Sequence, residues 1–434
     1  MGRLEQYFQF AELRTNWHTE ILAGATTFVT MAYIIFVNPS ILSQTGMPAT
    51  AVMASTCLAA GFASILMGAF ARYPIALAPG MGLNAYFTYT VVKGMGVAWQ
   101  VALGAVFLSG VAFLILTASG IRERLILALP RELYAAVAVG IGLFIAFIGF
   151  RNAGLIVPDQ ATTVALGNLR DPNTALSLFG LVLMSALLAR GVKAAMLIGI
   201  LVTTLAAAAL GLAHWEPRYY SIGEITATAF QLDVRGALGL GFLEILFVFL
   251  FVDLFDNLGT LVAVSKKANL LATTGSIPRV NRILFTDAAA TIVGSVAGTS
   301  TVVSYIESTA GLVAGGRSGV TAIVTGLLFL AALVIAPLAG AIPASATAPA
   351  LILVGAAMLA HVSEIEWGDP VIAVPAFLTM TTIPLSFSIA NGLAIGFTMF
   401  TLMKVLSGRG REVGWLMYVL TGLFLIRFFY LGKG

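Results

Sequence analysis

Long apolar runs follow one another along nearly the whole chain and leave little room for structure outside a lipid bilayer. Hydrophobic residues make up 59% of the 434 residues and charged residues 10%, whereas soluble domains carry roughly 25% charged residues. A helix crosses the bilayer core with about 20 apolar residues, so a dozen or more crossings fit. The composition predicts an all-α polytopic protein of the cell membrane, with no separate soluble domain.

Charged, glycine and proline clusters divide this sequence into fourteen predicted spans. In the first half they lie at 21–43, 50–70, 74–92, 97–118, 133–150, 175–190 and 194–213; in the second half they lie at 236–264, 283–299, 302–314, 319–337, 342–361, 371–386 and 389–405. The predicted organisation is a cytoplasmic N-terminus (1–20), a first seven-span repeat (21–213), an external connection (214–235), a second seven-span repeat (236–405) and a C-terminal segment (406–434). Within that last segment, residues 413–431 can either cross the membrane or lie along its surface.

The charge distribution and the odd number of spans in each half predict how the chain is inserted. With a cytoplasmic N-terminus, most of the 23 Lys and Arg residues fall in inner loops, as the positive-inside rule expects. Because each half has seven predicted spans, the second half must be inverted relative to the first. Weak similarity supports a repeat, since Pro130 and Pro343 both introduce glycine-containing apolar runs after a fourth span. Inverted repeats are typical of alternating-access transporters.

The few cysteine and histidine residues argue against a metal or cofactor site. Cys57 has no partner in the chain for a disulfide or a thiolate metal site. His18, His214 and His361 flank different spans and share no ligand spacing. The basic residues are scattered through short loops, which does not favour binding of nucleic acid. No metal, cofactor or nucleic-acid partner is therefore predicted.

Two predicted spans do not have the sequence of a continuous helix. In the third span, Pro79, Gly80 and Gly82 interrupt an apolar run. The tenth span is rich in hydroxyl and β-branched residues up to Tyr305, which predicts an extended stretch followed by a helix. A simple proline kink is the alternative for the third span alone. Paired breaks at corresponding positions of two repeats are a better match to a binding site.

The two breaks predict where a substrate binds. We expect short half-helices to begin near Asn84 and near Glu307, with free backbone N–H groups turned toward the site. The predicted site therefore lies between the third and tenth spans.

Three acidic residues lie far from the ends of their predicted spans. Asp253 and Asp256 are three residues apart in the eighth span, on one helical face, and Glu307 lies in the tenth. Acids inside a membrane cost several kcal/mol and are by default functional, so these three are candidates for proton coupling. The alternative is an internal ion pair, for which Arg317 is the nearest candidate partner.

Four motifs together resemble the AzgA-like adenine/guanine/hypoxanthine permeases, a branch of the nucleobase transporter superfamily with the uracil/xanthine permease fold. They are Gly24–Pro39, Ala78–Phe87, Asp253–Thr260, and Glu307–Gly311 with Gly315–Gly319. The resemblance covers nearly the whole chain. It implies a proton-coupled symporter that imports purine nucleobases.

The resemblance also implies a fold and an assembly. Members of this superfamily have a 7+7 inverted repeat with short strands interrupting spans 3 and 10. The core domain would comprise spans 1–4 and 8–11, and the gate domain spans 5–7 and 12–14. A homodimer through the gate domain and an elevator movement of the core domain are implied as well.

Carried over by motif, the implied substrate-binding residues are Asn84, Asp253, Asp256, Glu307, Gly82 and Tyr305. Two alignments leave the roles of the aspartates open, because matching the Glu-x-x-Gly of the uracil and xanthine permeases gives the substrate position to Asp256 instead of Asp253. Residues 308–310 depart from the Asn-x-Gly of those relatives, so their substrate rules do not transfer. The preferred purine is not determined.

Anion exchange and prenyl transfer are the alternatives to purine uptake. An anion exchanger of the same fold would need a basic residue where Asn84 and Glu307 stand. An intramembrane prenyl-transfer enzyme could hold magnesium and a pyrophosphate with Asp253 and Asp256, but it would need further carboxylates and basic residues. The sequence favours a transporter over an enzyme.

Overall fold

The computed structural model describes residues 2–119, 130–213, 221–239 and 277–426, together with residues 245, 246, 248–250, 252, 253, 257, 260, 261, 264 and 265. In the first half the elements are α1 (Arg3–Tyr7), α2 (Phe10–Leu13), α3 (Trp17–Met31), α4 (Ile34–Leu42), α5 (Ala49–Leu66), β1 (Leu77–Pro79), α6 (Met81–Ala85), α7 (Trp99–Ala118), α8 (Arg131–Asn152), β2 (Ile156–Asp159), β3 (Thr163–Leu166), α9 (Pro172–Ala189) and α10 (Ala195–Ala209). They continue with α11 (Ile222–Ile225), α12 (Val234–Ala237), α13 (Val280–Ala297), β4 (Val302–Ser304), α14 (Ser308–Val313), α15 (Gly319–Ala331), α16 (Ala344–Met358), α17 (Pro370–Leu385), α18 (Ile389–Leu406) and α19 (Trp415–Ile426).

Several helices have the length and apolar composition of membrane spans. When helical segments that directly follow one another are joined, seven helices in the described part of the chain qualify. They are Trp17–Thr45, Ala49–Ala71, Trp99–Ala118, Glu132–Asn152, Pro172–Ala189, Ala344–Glu364 and Ile389–Leu406. Shorter apolar helices include α10, α17 and α19. These helices coincide with predicted spans, while most of the eighth span (236–264) lies outside the described residues.

The first span differs from the prediction at its start and in its middle. It begins at Trp17, before the expected 21, because the Asn16 side chain accepts a hydrogen bond from the Thr19 backbone N–H (2.9 Å) and caps the helix. Ala32 and Tyr33 separate α3 from α4. The N-terminal segment before this span is itself folded into α1 and α2.

The chain divides into two compact units. One comprises Met1–Ile115 and Gly149–Ala350, and the other comprises Leu116–Ile148 and Leu351–Gly434. In the first unit, α5 packs against α4, α13 and α15, and α15 also packs against α3. A Cβ added at Gly326 would lie 2.6 Å from the backbone oxygen of Gly61, so glycine permits α5 and α15 to approach closely.

The second unit is built around helices α8 and α16 to α19. Its α17 and α18 pack together, and a Cβ at Gly355 would lie 2.3 Å from the Gly142 backbone oxygen. The segment 413–431, whose structure the sequence left open, forms α19 in its described part. That helix packs on α18, where the Thr421 hydroxyl donates to Thr401 Oγ1 (2.8 Å).

Candidate functional site

Two short strands from distant parts of the sequence pair in the first unit. Strands β1 and β4 are antiparallel, with Leu77 opposite Ser304 and Pro79 opposite Val302. One further hydrogen bond extends the pairing at one end, where the Gly80 N–H donates to Thr301 O (2.9 Å). The predicted strands in spans 3 and 10 are confirmed, and the two broken spans meet directly.

Buried hydroxyl groups satisfy backbone groups along the outer edges of these strands. Ser64 Oγ accepts from the Leu77 N–H (3.0 Å) and donates to the Leu77 carbonyl (3.2 Å). Ser308 Oγ accepts from the Ala76 N–H (3.0 Å) and Thr291 Oγ1 accepts from the Val302 N–H (3.3 Å). Extended backbone in a membrane protein needs such partners, because lipid supplies none.

Each strand leads into a short helix. The sequence predicted the first residue of one helix correctly and that of the other incorrectly. Helix α14 begins at Ser308 after Glu307, as expected. Helix α6 begins at Met81 and not near Asn84, so that prediction was wrong by about one turn. Gly80 is the last extended residue (φ −76°, ψ 120°), and the helix that follows it includes Gly82 in its first turn. Asn84 consequently lies within the first turn.

We call β1 and α6 with the π-helical stretch Tyr86–Gly94 the first arm, and β4 and α14 the second arm. The strands are antiparallel, so the helices leave the strand pair at opposite ends. Gly80 and Ala76, which mark those ends on the first strand, are about 13 Å apart at the usual rise per residue.

In the first arm the Asn84 side chain is fully buried and bound within a network of neutral polar groups. Its Nδ2 donates to Asn38 Oδ1 (2.5 Å), and its Oδ1 accepts a hydrogen bond from the Ser300 hydroxyl. Gly82, which the motif placed at the site, is buried in the same helical turn. Asn84 therefore joins the first arm both to α4 and to the start of the second arm.

In the second arm Glu307 is held by a tyrosine from the first span. The Tyr33 hydroxyl donates to Glu307 Oε1 (2.6 Å), and Tyr33 is 1% exposed. Glu307 is only partly buried, and Ile306 beside it is 47% exposed. The acid is thus fixed by a specific hydrogen bond at the point where the second arm becomes accessible.

Tyr305 connects the two arms. Its hydroxyl donates to the carbonyl oxygen of Pro79, and its backbone N–H donates to Ala76 O (3.0 Å). The donor hydrogen of its hydroxyl is therefore used within the protein.

Residues of the eighth span also lie beside the paired strands. Asn257 Oδ1 accepts from the Ser304 N–H (2.9 Å), and Asp253 lies one helical turn earlier on the same face. Both side chains are completely buried. Asp256 lies outside the described residues, so the question of which aspartate contacts the ligand stays where the sequence left it.

Several buried polar atoms in or beside β4 have no hydrogen-bond partner in the described part of the chain. They are Asn257 Nδ2, Ser304 Oγ and Thr301 Oγ1. Buried polar groups are normally paired, so a cluster of this kind is typical of a site that receives a polar ligand. The arrangement offers one acid, two amides and several hydroxyls, which together can bond the edge of a flat polar molecule.

Comparison with known proteins decides the family. The model of the Permease family matches residues 18–398. The chain belongs to this family. The permease is 53% identical over 432 residues to a putative permease of Methanocaldococcus jannaschii, with 99% of each chain covered. Over 440 residues it is 43% identical to the guanine/hypoxanthine permease PbuG of Bacillus subtilis, covering 99% of this chain and 100% of the relative.

A further relative agrees with this assignment. The permease is 42% identical over 426 residues to the adenine permease AdeP of Escherichia coli, with 98% and 96% covered. The predicted membership among the AzgA-like adenine/guanine/hypoxanthine permeases is confirmed. Because its relatives are transporters, the permease is a transporter and not an enzyme.

The solved structures show the fold. The transmembrane domain of the cyanobacterial bicarbonate transporter BicA has a TM-score of 0.64 at 16% identity, covering 85% of the permease and 97% of that chain. The murine Solute Carrier 26 family member A9 anion transporter, in an inward-facing state, has a TM-score of 0.66 at 11% identity, covering 90% and 69%. The predicted 7+7 inverted-repeat fold is thereby confirmed.

Some residues that shape the site of the permease are not among those predicted from its sequence. Tyr33, Asn38 and Asn257 contact the arms, and each is a polar residue inside an apolar run, which is the signal that could have found them. Glu20 was not predicted either, but it lies outside both arms: its carboxylate accepts from the backbone N–H groups of Arg317 (2.9 Å) and Ser318 (3.1 Å) at the start of α15.

Proposed function

We propose that this permease imports purine nucleobases, guanine, hypoxanthine or adenine, in symport with protons. The observation that carries the proposal is the Glu307 carboxylate, held by Tyr33 beside two paired, broken spans. The cargo class is supported by near full-length relatives named as guanine/hypoxanthine and adenine permeases. A protonatable acid next to hydrogen-bonding groups is what coupled uptake of a neutral base requires.

Within this proposal the two arms have different roles. Asn84 bonds the purine edge through its amide, and Asp253 or Asp256 provides a second polar contact. Tyr305 offers an aromatic face beside the ring, and Gly82 leaves space close to the backbone of the first arm. Glu307 binds the proton and contacts the base, so that binding of one favours binding of the other. A site of this kind rejects analogues that leave its buried polar groups unpaired.

The transport cycle and assembly follow from the implied architecture. The core domain, spans 1–4 and 8–11, would carry the site across the membrane like an elevator against a gate domain of spans 5–7 and 12–14. The gate domain would also form a homodimer. The N-terminus, 1–20, would face the cytoplasm, consistent with the distribution of basic residues.

The test is uptake into proteoliposomes. With an imposed proton gradient, labelled hypoxanthine, guanine or adenine should enter faster than into empty liposomes. Uptake should be lost in Glu307→Ala and strongly reduced in Asn84→Ala. If none of the three bases enters above the background of empty liposomes, the proposal fails.

Repeating the assay at two external pH values, with unlabelled purines as competitors, ranks the edge groups and tests the coupling. Proton symport predicts faster uptake at the lower external pH. Equal rates at both values would contradict proton coupling while leaving purine transport intact.

Anion exchange is not favoured as a second function. The likeness to the bicarbonate transporter and the anion transporter concerns fold alone at 16% and 11% identity. Residues 74–92 and 298–316, which contain both strands and both short helices, have no Lys or Arg. An acid at the second arm would oppose a bound anion.

A further inference from the structure

A chain of buried hydrogen bonds leads from the second span to the Asn84 amide. Its members are Asn38 of α4, Thr56 of α5, Asn84 of α6, and Thr299 and Ser300 before β4. All five side chains are completely buried. Because these side chains are not accessible to solvent, each donor must face an acceptor within the protein. The direction of each hydrogen bond therefore restricts the direction of the next.

The direction is set at Thr56. Its hydroxyl oxygen lies 2.6 Å from the carbonyl oxygen of Val52, and two oxygens approach this closely only when a hydrogen lies between them. A carbonyl has no hydrogen, so the single hydroxyl hydrogen of Thr56 points to Val52. Toward any other neighbour Thr56 can only accept.

This restriction fixes the Asn38 amide. Because Thr56 Oγ1 can only accept from Asn38, the contact of 2.7 Å must be made by Asn38 Nδ2. The second N–H of the same group donates to Thr299 Oγ1 (3.0 Å). Asn38 Oδ1 must then face Asn84, whose Nδ2 donates to it at 2.5 Å. The Asn84 Oδ1 is left to accept from Ser300.

The remaining capacity of Asn84 is also determined. An amide carries two N–H donors and two acceptor lone pairs. In the described part of the chain, Asn38 uses one Asn84 N–H and Ser300 uses one lone pair. One N–H of Nδ2 and one lone pair of Oδ1 therefore remain for a ligand.

We propose that Asn38 and Thr56 are positioning residues that hold the Asn84 amide in one orientation and thereby let the permease distinguish 6-oxopurines from 6-aminopurines. The inference rests on the proposed function, in which Asn84 contacts the base. A 6-oxopurine presents a carbonyl acceptor beside an N–H donor at positions 6 and 1, whereas a 6-aminopurine presents the reverse. An amide locked in one orientation matches one of these edges and opposes the other.

Among these five residues, Thr56 alone has a hydroxyl whose direction is fixed from outside the network. The hydroxyls of Thr299 and Ser300 can either donate or accept. Without the Thr56 hydroxyl, the amide groups of Asn38 and Asn84 can both flip, exchanging the positions of nitrogen and oxygen. The hydroxyls of Thr299 and Ser300 would then exchange donor and acceptor roles. The amide would then suit either purine edge. The structure therefore assigns discrimination to a residue that does not contact the ligand.

The experiment compares inhibition constants of adenine and hypoxanthine against one labelled purine, in wild type and in Thr56→Val. Wild type should prefer one base by at least about tenfold, and Thr56→Val should reduce that ratio by about tenfold. Thr56→Ser keeps the hydroxyl and should keep the wild-type ratio. A purely structural role would lower the uptake of both bases together and leave the ratio unchanged.

Two further variants separate the possible failures. Thr56→Ala removes the same hydroxyl with less steric demand, and it replaces Thr56→Val if that variant does not fold. If Asn84→Ala transports both bases like wild type, the proposed role of Asn84 fails. If Asn84→Ala is impaired but the ratio is unchanged in the folded Thr56 variants, or is near one in wild type, the orienting role is overturned.

Discussion

The first and second arms correspond in the inverted repeat but lie in different surroundings. Residues 73–88 of the first arm and its approach are all buried, and Asn84 is bound by neutral amide and hydroxyl groups. In the second arm Ile306 is 47% exposed and Glu307 is partly buried. The same strand-and-helix backbone thus carries a closed neutral group on one side and an accessible acid on the other.

The difference indicates a division of labour. A buried amide held by hydrogen bonds on both its nitrogen and its oxygen keeps its orientation and is suited to recognising a molecular edge. An acid that is held by a tyrosine hydroxyl and only partly buried can exchange a proton without unfolding its surroundings. This contrast supports the proposed purine recognition by the first arm and the proposed proton coupling by the second, and each variant below tests one side of it.

The largest effect is expected from Glu307→Gln. Glutamine keeps the size and hydrogen bonding of the side chain but cannot carry the proton, so gradient-driven accumulation should fall by about 100-fold or more. Exchange of labelled for unlabelled purine without a gradient should persist. Loss of both activities to the same degree would show that the second arm serves binding as much as coupling.

Tyr33→Phe should have the next largest effect. It removes the donor to Glu307 and leaves the ring in place, and a hydrogen bond to a charged group contributes about 1.5–3 kcal/mol. We expect gradient-driven uptake to fall by about tenfold. Tyr418→Phe is the matched control, because its hydroxyl donates to the Gly410 carbonyl within the second unit and bonds neither arm. Equal effects of the two variants would contradict a specific role of Tyr33.

Gly311→Ala tests how tightly the second arm is seated. A Cβ at Gly311 would lie 2.1 Å from Thr27 Oγ1 and 2.6 Å from the Ala23 carbonyl oxygen, so α14 would have to move away from α3. Overpacking of this kind costs about 1–3 kcal/mol. The melting temperature in detergent should fall by several degrees. Gly422→Ala, which meets no atom within 4 Å, should not lower it.

Asp369→Asn provides the smallest effect and a contrast to Glu307. The Arg409 side chain hydrogen-bonds to Asp369 and lowers the pKa of that carboxyl below its usual range. A lowered folded pKa stabilises the protein above the unfolded value, about 3.9, and this stabilisation is lost as the pH falls through the folded value.

The variant should therefore melt slightly below wild type at pH 7, and the difference should close below about pH 4. Purine uptake at pH 7 should be unchanged, because Asp369 is an acid with a basic partner outside both arms. Impaired uptake in a stably folded Asp369→Asn would show that acidity alone does not set Glu307 apart.

The sequence predicted the broken spans well because their causes are local. Pro79 and Gly80 cannot continue a helix, and the β-branched run before Tyr305 favours a strand. The start of α6 was misplaced because the extended backbone ends at Gly80 and the helix forms through Gly82, which the sequence suggested would interrupt it. Glu307 was correctly expected at the start of α14.

The partners of the polar side chains could not be predicted in the same way. Tyr33 and Glu307 are 274 residues apart, and Asn84 and Ser300 are 216 apart. Periodicity shows which face of a helix is polar but not which distant group it meets. In an almost uniformly apolar chain, even the face is weakly marked.

The sequence by itself determined that this protein spans the membrane many times, interrupts two corresponding spans, and places acids within the eighth and tenth spans. Those properties depend on apolar length, helix breakers and residue type, all of which act locally. Only the tertiary structure decided that the two strands pair, that Tyr33 binds Glu307, and that Asn38 orients Asn84. Such contacts depend on which helices pack together, because a buried polar group must find its partner wherever the fold places one.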